Sequence, residues 1–253
     1  MSDSAVQPAT EQAPGLSQMQ RVTNIFTAPS KTFADIKRGN KSWWLPFIVM
    51  AIVGYVLYGV VSTKIGMEQV VQNQIHLSPK QEERMNQAPP EQRETSMKIS
   101  LGVTQGIFIG GPILLLIVIA IGSVGLWGTI NFLFGGRATY GSIFTVWMYA
   151  GLPGIIKVLL GVIVIYAGTA PESFNIKNYA PTNLGAFLNP LETNPALYSL
   201  ASSIDIITIW TLVLLGMGIA TVAGVKRSSG YIAVFGWWAI FTLIGVGWAA
   251  AMS

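Results

Sequence analysis

Apolar and polar positions along this chain fall into long blocks. Five apolar runs of about 20 residues lie near 44–63, 109–134, 143–168, 201–224 and 231–251, roughly the length of helix that crosses ~30 Å of hydrocarbon. Residues 1–42 ahead of them are polar. Of these, 1–18 hold almost no bulky apolar side chain and are expected to be disordered. In 19–42, Val22, Ile25 and Phe26 share one helical face, and Phe33 and Ile36 form a second stripe beyond Ala28 and Pro29. Lys31, Lys37, Arg38 and Lys41 surround them. The pattern predicts two short amphipathic helices lying on the membrane surface; a flexible basic tether is the other reading. Trp43 and Trp44 mark the interface where the first span enters.

Between the first and second runs, residues 64–105 read as helical too. Ser78 and Pro79 supply an N-cap and first helical position, and Pro89 and Pro90 a second start. Met97, Leu101 and Phe108 then lead into the second span, where "GGP" at 110–112 marks a bend. This is expected to be an outer helical cap, with five basic residues against five acidic. The outer loop 169–200 is punctuated by proline, with Leu184, Phe187 and Leu188 as a short amphipathic element. The predicted class is all-α: a polytopic membrane protein of five transmembrane helices over 43–253, with a helical extramembrane cap and short amphipathic N-terminal helices.

Composition agrees. Of 253 residues, 51% are hydrophobic and 10% charged, whereas soluble domains run near a quarter charged. The first apolar run comes late and is long for a cleavable leader, so a permanent helix is expected. Lys and Arg concentrate in the tail and the two turns sharing its side, at Arg21, Lys31, Lys37, Arg38, Lys41, Arg137, Lys226 and Arg227. This places the N-terminus in the cytoplasm and the C-terminus outside. A net charge of +4, scattered along the chain, gives no nucleic-acid footprint.

Candidate chemistry is sparse. No cysteine is present, and His76 is the single histidine, which rules out thiol catalysis and an HExxH zinc site. No phosphate-binding glycine motif occurs, and no cofactor is implied. Within the spans, Lys157 and Asp205 are the charged residues. Their depths below the outer helix ends differ by about 6 Å at ~1.5 Å per residue, within reach of a lysine stem. An intramembrane charge at a helix centre costs roughly 2.5–3.5 kcal/mol and usually faces the bundle interior, so a structural pair is favoured. A snorkelling lysine and a functional ion or proton site are the alternatives. Lys157 as a base for Ser202 or Ser203 is a formal reading only, since a charged, paired lysine is a poor base. Pro153, with Gly151 and Gly154, is expected to kink or break the third span near Tyr149. Small residues form faces at Gly122, Gly125 and Gly128, at Gly154, Gly161 and Gly168, and at Gly216, Ala220 and Gly224; internal packing of the bundle is favoured for them, and a dimer face is the other reading.

Several stretches, taken in order, resemble the Yip domain family, named for interaction with Ypt/Rab GTPases. They are "IFTAPSKTFADI", "LSPKQEERM", "FLFGGRATYGSIFTVWMYAGLPGII", "APTNLGAFL" and "SIDIITIWTLVLLGMGIATVAG", within about 20–250. The resemblance implies an all-helical, five-span protein with a cytoplasmic N-terminus, and it implies no known catalytic activity. Eukaryotic members act in vesicle traffic through GTPases and oligomerise with relatives. The short tail and sizeable outer cap resemble the bacterial members, which implies a bacterial inner or cell membrane and makes a GTPase partner the less expected one. By the family pattern, Tyr149 and Pro153 in "YAGLP" and Asp205 and Trp210 in "IDIITIW" are the positions to test.

Two functional readings stand. In the first, the chain is a non-enzymatic membrane protein that organises or assists other membrane components, through a membrane-protein partner or a homo-oligomer. In the second, it is a small transporter, channel or exporter subunit with a polar site at Lys157 and Asp205, and with Asn131, Thr208 and Thr211 in the bundle.

Overall fold

The computed structural model describes residues 15–251. Most of the segment expected to be disordered, 1–14, lies outside that range, but its last residues are ordered. Leu16 N–H donates to Asp35 Oδ1 at 3.1 Å. Ser17 opens the first helix through a reciprocal capping box with Gln20, giving partners to donors that a helix start otherwise leaves unpaired.

The described residues form helices, with one isolated antiparallel bridge between Asn183 and Asp205 and no strand. Helices α1 (Gln18–Thr27) and α2 (Pro29–Lys37) make a hairpin turning at Ala28. Then α3 (Trp44–Lys64) makes the first crossing. Helices α4 (Met67–His76), α5 (Pro79–Gln87) and α6 (Pro90–Ile109) build the cap. α6 bends at Gly110 into α7 (Gly111–Gly128), which ends in a π-helical turn, Thr129–Leu133. The third crossing has two halves, α8 (Tyr140–Ala150) and α9 (Gly154–Tyr166). A cap-side connection with short 3₁₀ turns leads to α10 (Pro195–Ser203), α11 (Ile206–Ala223) and α12 (Arg227–Ala251).

Among the described residues, five helices are long and apolar enough to cross a membrane: Trp44–Lys64, Gly111–Leu133, Tyr140–Tyr166, Ile206–Ala223 and Arg227–Ala251. The chain is therefore an all-α, multi-pass membrane protein. Within the bundle α11 is the axis and α12 the periphery, since 56% of the apolar window of α11 is buried against 11% for α12. Exposed Ile240, Phe241, Leu243, Ile244 and Trp248 on α12 are suited to lipid.

The two N-terminal helices form, but they do not lie flat on a surface. The hairpin packs lengthwise on α11 and α8. Lys37 Nζ stands 4.0 Å from the Cβ position of Gly224, just past the tail-side end of α11. Further along, Phe33 abuts Gly218, and Ser30 Oγ lies 4.0 Å from Met217 Sδ. At the hairpin tip, Phe26 meets Trp210 edge-on at 5.9 Å, about one turn from the opposite end of α11. Ile25, Phe33 and Ile36 share one buried cluster with Val146, Tyr149 and Ile219. The apolar stripes that suggested a surface helix cover a protein face instead. What permits this is charge: Arg21 and Asp35 are buried on the same side and neutralise each other.

The fourth apolar run, expected as a continuous helix over 201–224, is interrupted. α10 ends at Ser203, Asp205 is extended, and α11 starts at Ile206. Aspartate favours an N-cap over a helix interior because its short side chain bonds the backbone, and Asp205 Oδ1 accepts from Thr208 N–H at 2.9 Å.

Candidate functional site

At this interruption the cap-side connection folds back onto the bundle. Leu184 N–H donates to Ile204 O at 3.2 Å and Ile206 N–H to Thr182 O at 3.0 Å, so 182–184 and 204–206 run as a two-rung ladder. The ladder brings Thr182 to Asp205, whose Oδ2 accepts from the Thr182 hydroxyl at 2.5 Å. Lys157, one turn into α9, places Nζ 2.9 Å from the same oxygen. Its ammonium also lies 5.9 Å from the centroid of the Tyr179 ring, within cation–π range. Three elements are therefore tied at one carboxylate: α9, the start of α11 and the cap-side connection.

Asp205 sits just ahead of the fourth span and is 1% exposed. Burial alone pushes its pKa up. The Thr182 hydroxyl, the Thr208 N–H and Lys157 outweigh that and hold the carboxyl below its ordinary value. Burial first, and the Asp205 charge second, raise the Tyr179 phenol above its ordinary value. Next to the clamp, Tyr198 Oη accepts from Asn175 Nδ2 at 3.3 Å and Asn178 Nδ2 at 3.1 Å, while Asn183 Nδ2 donates to Asn178 Oδ1 at 2.6 Å. The ladder stands on an asparagine–tyrosine network.

Chemically, this arrangement holds more than it exchanges. Both Asp205 oxygens are engaged, and the lysine is committed to a carboxylate. Ser203 Oγ–H donates to Leu200 O at 2.6 Å, and among the described residues no hydrogen bond joins Lys157 to Ser202 or Ser203. Asn131 closes the 134–139 turn, exchanging two 2.9 Å hydrogen bonds with the Ala138 backbone.

The break in the third span falls at 151–153, between α8 and α9. Tyr149, the last residue but one of α8, is fully buried and donates its hydroxyl to Ser42 O at 3.1 Å. A Cβ at Gly151 would stand at ordinary contact distance, 3.5 Å, from Met50 Sδ on α3. Pro153 sits at the N-cap of α9, and Gly154 faces open space. Arg21 lies beside Tyr149, its guanidinium carbon 5.9 Å from the ring centroid.

The small residues divide into three kinds. A Cβ on Gly122, Gly161 or Gly216 would come within 2.5 Å of the Trp147, Tyr179 or Tyr231 ring, so these positions pack aromatic rings against helix backbone. Gly125 faces Trp237 at 3.3 Å, and Ala220 faces Gly230. Gly128 meets nothing within 4 Å, so it is not a packing position. Gly224 ends α11 with φ +71°, a conformation that favours glycine, and its role is termination rather than packing.

Three features were missed in the sequence reading. Gly218 and Gly230 pack more tightly than several of the glycines singled out. Thr182 is the third partner of Asp205. The Arg21 and Asp35 pair had a legible signal, since Asp35 is the sole acidic residue in 19–42, beside Phe33 and Ile36.

The chain was compared with known proteins on this basis. The model of the Yip1 domain family matches residues 23–249, nearly the whole described chain. No curated protein and no solved structure matches it.

Proposed function

The chain belongs to the Yip1 domain family, and from that membership we propose that it is a non-catalytic membrane protein that organises or assists other membrane components. One observation carries the reading: Arg21, Asp35 and Asp205, the buried charged residues among those described, are each bound in a clamp that joins helices. A group so engaged is poorly placed for acid, base or nucleophilic work, which needs a reactive side chain facing a substrate. The family membership supports a membrane-protein partner or a second copy of the chain. A GTPase partner is the weaker choice, because the basic 19–42 segment is packed against the bundle as a hairpin. The domain reading is a tail, the 19–42 hairpin, and a 43–253 membrane domain with its cap over 64–105. A cytoplasmic N-terminus is supported by Lys31, Lys37, Lys41, Arg137, Lys226 and Arg227 at one end of the bundle.

The test is mild crosslinking of tagged protein in its native membrane, followed by mass spectrometry of what co-purifies. A stoichiometric partner, or a defined homo-oligomer, is the expected result. Recovery of uncrosslinked monomer alone overturns the reading.

A second reading, a small transporter or channel, is favoured by one specific observation. The third span is interrupted at 151–153, and the chain breaks again at Ile204 and Asp205, just ahead of the fourth span, with Lys157 and Asp205 facing each other between the breaks. Discontinuous helices build substrate and ion sites in several transporter folds. Flux in proteoliposomes that Asp205→Asn abolishes, with the fold intact, would establish it; unchanged flux removes it.

A further inference from the structure

Away from the Asp205 clamp, a groove of about 540 Å³ opens between α3, the bend from α6 to α7, and the cap-side connection. Its volume falls in the range of small-ligand sites, roughly 300–1,000 Å³. The floor is apolar and made deep by small residues. Ala51 and Gly54 on α3 face Gly111, Pro112 and Leu115 at the start of α7. A Cβ on Gly54 or Gly111 would meet nothing within 4 Å, so the missing side chains leave the slot empty rather than letting two helices touch. The rim has a different character. Gln74 from the cap, Thr104 on α6, and Lys177 and Tyr179 from the connection gather at the cap-side end. Lys177 is exposed and forms no ion pair among the described residues.

An apolar slot within membrane-crossing helices, with an unpaired cation at its mouth, matches one chemistry. We infer that the groove binds an anionic phospholipid of the cap-side leaflet, with an acyl chain along Gly54 and the phosphate at Lys177. The charge decides between occupants. A wholly apolar ligand has no use for the lysine, and a zwitterionic lipid gains less there because its own ammonium opposes Lys177. The bend at Gly110 keeps the slot open. Tyr55 donates its hydroxyl to Ile109 O at 2.9 Å, and Tyr58 stacks on Phe108 at 5.3 Å, fixing α3 to α6 beside the groove. This site is independent of the accessory role proposed above.

The test uses phosphatidylglycerol with a photoreactive group midway along one acyl chain. It is incorporated in phosphatidylcholine liposomes with the full-length protein, and labelled peptides are mapped by mass spectrometry. Labelling is expected on the stretch around Ala51 and Gly54, and on that around Leu115. Lys177→Ala should lower labelling by phosphatidylglycerol about fivefold, the factor set by one lysine near an anionic headgroup. It should leave labelling by the matching phosphatidylcholine probe unchanged. Gly54→Leu, whose Cβ enters open space in the slot, should abolish labelling by both probes while thermal stability is retained. Equal labelling of wild type and both variants overturns the inference. So does equal loss of both probes in Lys177→Ala, which would show that the lysine does not select an anionic headgroup.

Discussion

Arg21 on α1 places Nη2 2.7 Å from Oδ2 of Asp35 on α2, with side-chain exposures of 0% and 2%. Arg21 Nε adds a second contact to the same oxygen at 2.8 Å, and Nη1 donates to Asn40 O at 3.1 Å. Arg38 reaches the other Asp35 oxygen at 3.2 Å from the surface. The hairpin can dock on α8 and α11 because the two charges it takes into the core arrive together. Removing Asp35 leaves Arg21 buried and unpaired, which typically costs about 3–5 kcal/mol, and removing Arg21 leaves Asp35 buried with the half-exposed Arg38 as its remaining ion-pair partner. Arg21→Met and Asp35→Leu should each lower the thermal midpoint strongly in lipid or mild detergent. The double variant should recover most of the loss, since well-packed apolar residues often replace a buried pair at little cost. A double variant as unstable as the sum of the singles would show that the pair is not the unit that matters.

The clamp at Asp205 carries a pH dependence whose sign follows from its depressed pKa. Its stabilisation is fully present above the unfolded value, about 3.9, and is lost as pH falls through the lower folded value. Asp205→Asn should therefore be less stable than wild type near neutral pH, by about 1.5–3 kcal/mol for loss of a charged hydrogen-bonding partner. The gap should narrow as wild type is taken below about pH 4. Thermal unfolding of both proteins across that range reads it directly. A gap that is constant with pH would assign the effect to packing.

Lys157 and Thr182 meet the same Asp205 oxygen, so their contributions should not add. In a double-mutant cycle, Lys157→Met with Asp205→Asn should couple by about 0.5–3 kcal/mol. Thr182→Val should cost less than Lys157→Met, because Lys157 and the Thr208 N–H still hold the carboxylate. Additive losses would place Lys157 outside the clamp.

Glycines of similar appearance in the sequence should respond differently. A Cβ at Gly218 would stand 2.5 Å from Val146 Cγ1 and 2.8 Å from the Phe33 ring. Gly218→Ala should then lower stability by roughly 1–3 kcal/mol, the usual cost of overpacking, and should loosen the hairpin. Gly128→Ala meets open space and should be neutral, or stabilising by no more than about 1 kcal/mol. Equal effects at the two sites would contradict the packing described. The difference is invisible in a spacing pattern, because small-residue periodicity marks close approach without saying which partner approaches.

The same limit explains which parts of the architecture were legible. The five crossings follow from run length and composition, and these are local properties of the chain. The meeting of Lys157 and Asp205 was within reach of depth arithmetic because consecutive crossings run antiparallel and both residues lie near the cap-side ends of the third and fourth apolar runs. Thr182 was not, since its approach depends on the cap-side connection folding back by backbone pairing with 204–206, which no periodicity encodes. The hairpin was misplaced for a different reason. An amphipathic stripe specifies an apolar partner but does not distinguish lipid from protein. Only the lone Asp35 among basic residues pointed to a buried counterion, and through it to a protein face.

The placement of that hairpin can be tested in the native membrane. The chain has no cysteine, so single cysteines report without background. Thr32 is fully buried and donates its hydroxyl to Arg21 O at 3.0 Å, while Arg38, a turn and a half further on, is half exposed at the end of α2. With the hairpin docked, Thr32→Cys should react with a water-soluble maleimide far more slowly than Arg38→Cys. Adding Asp35→Asn, which leaves Arg21 buried and unpaired, should bring the Thr32→Cys rate up towards that of Arg38→Cys. A helix lying on the membrane surface would show slow labelling at Thr32 that the Asp35 substitution leaves unchanged. A flexible tether would show fast labelling at both positions from the start, and either result would remove the docked hairpin.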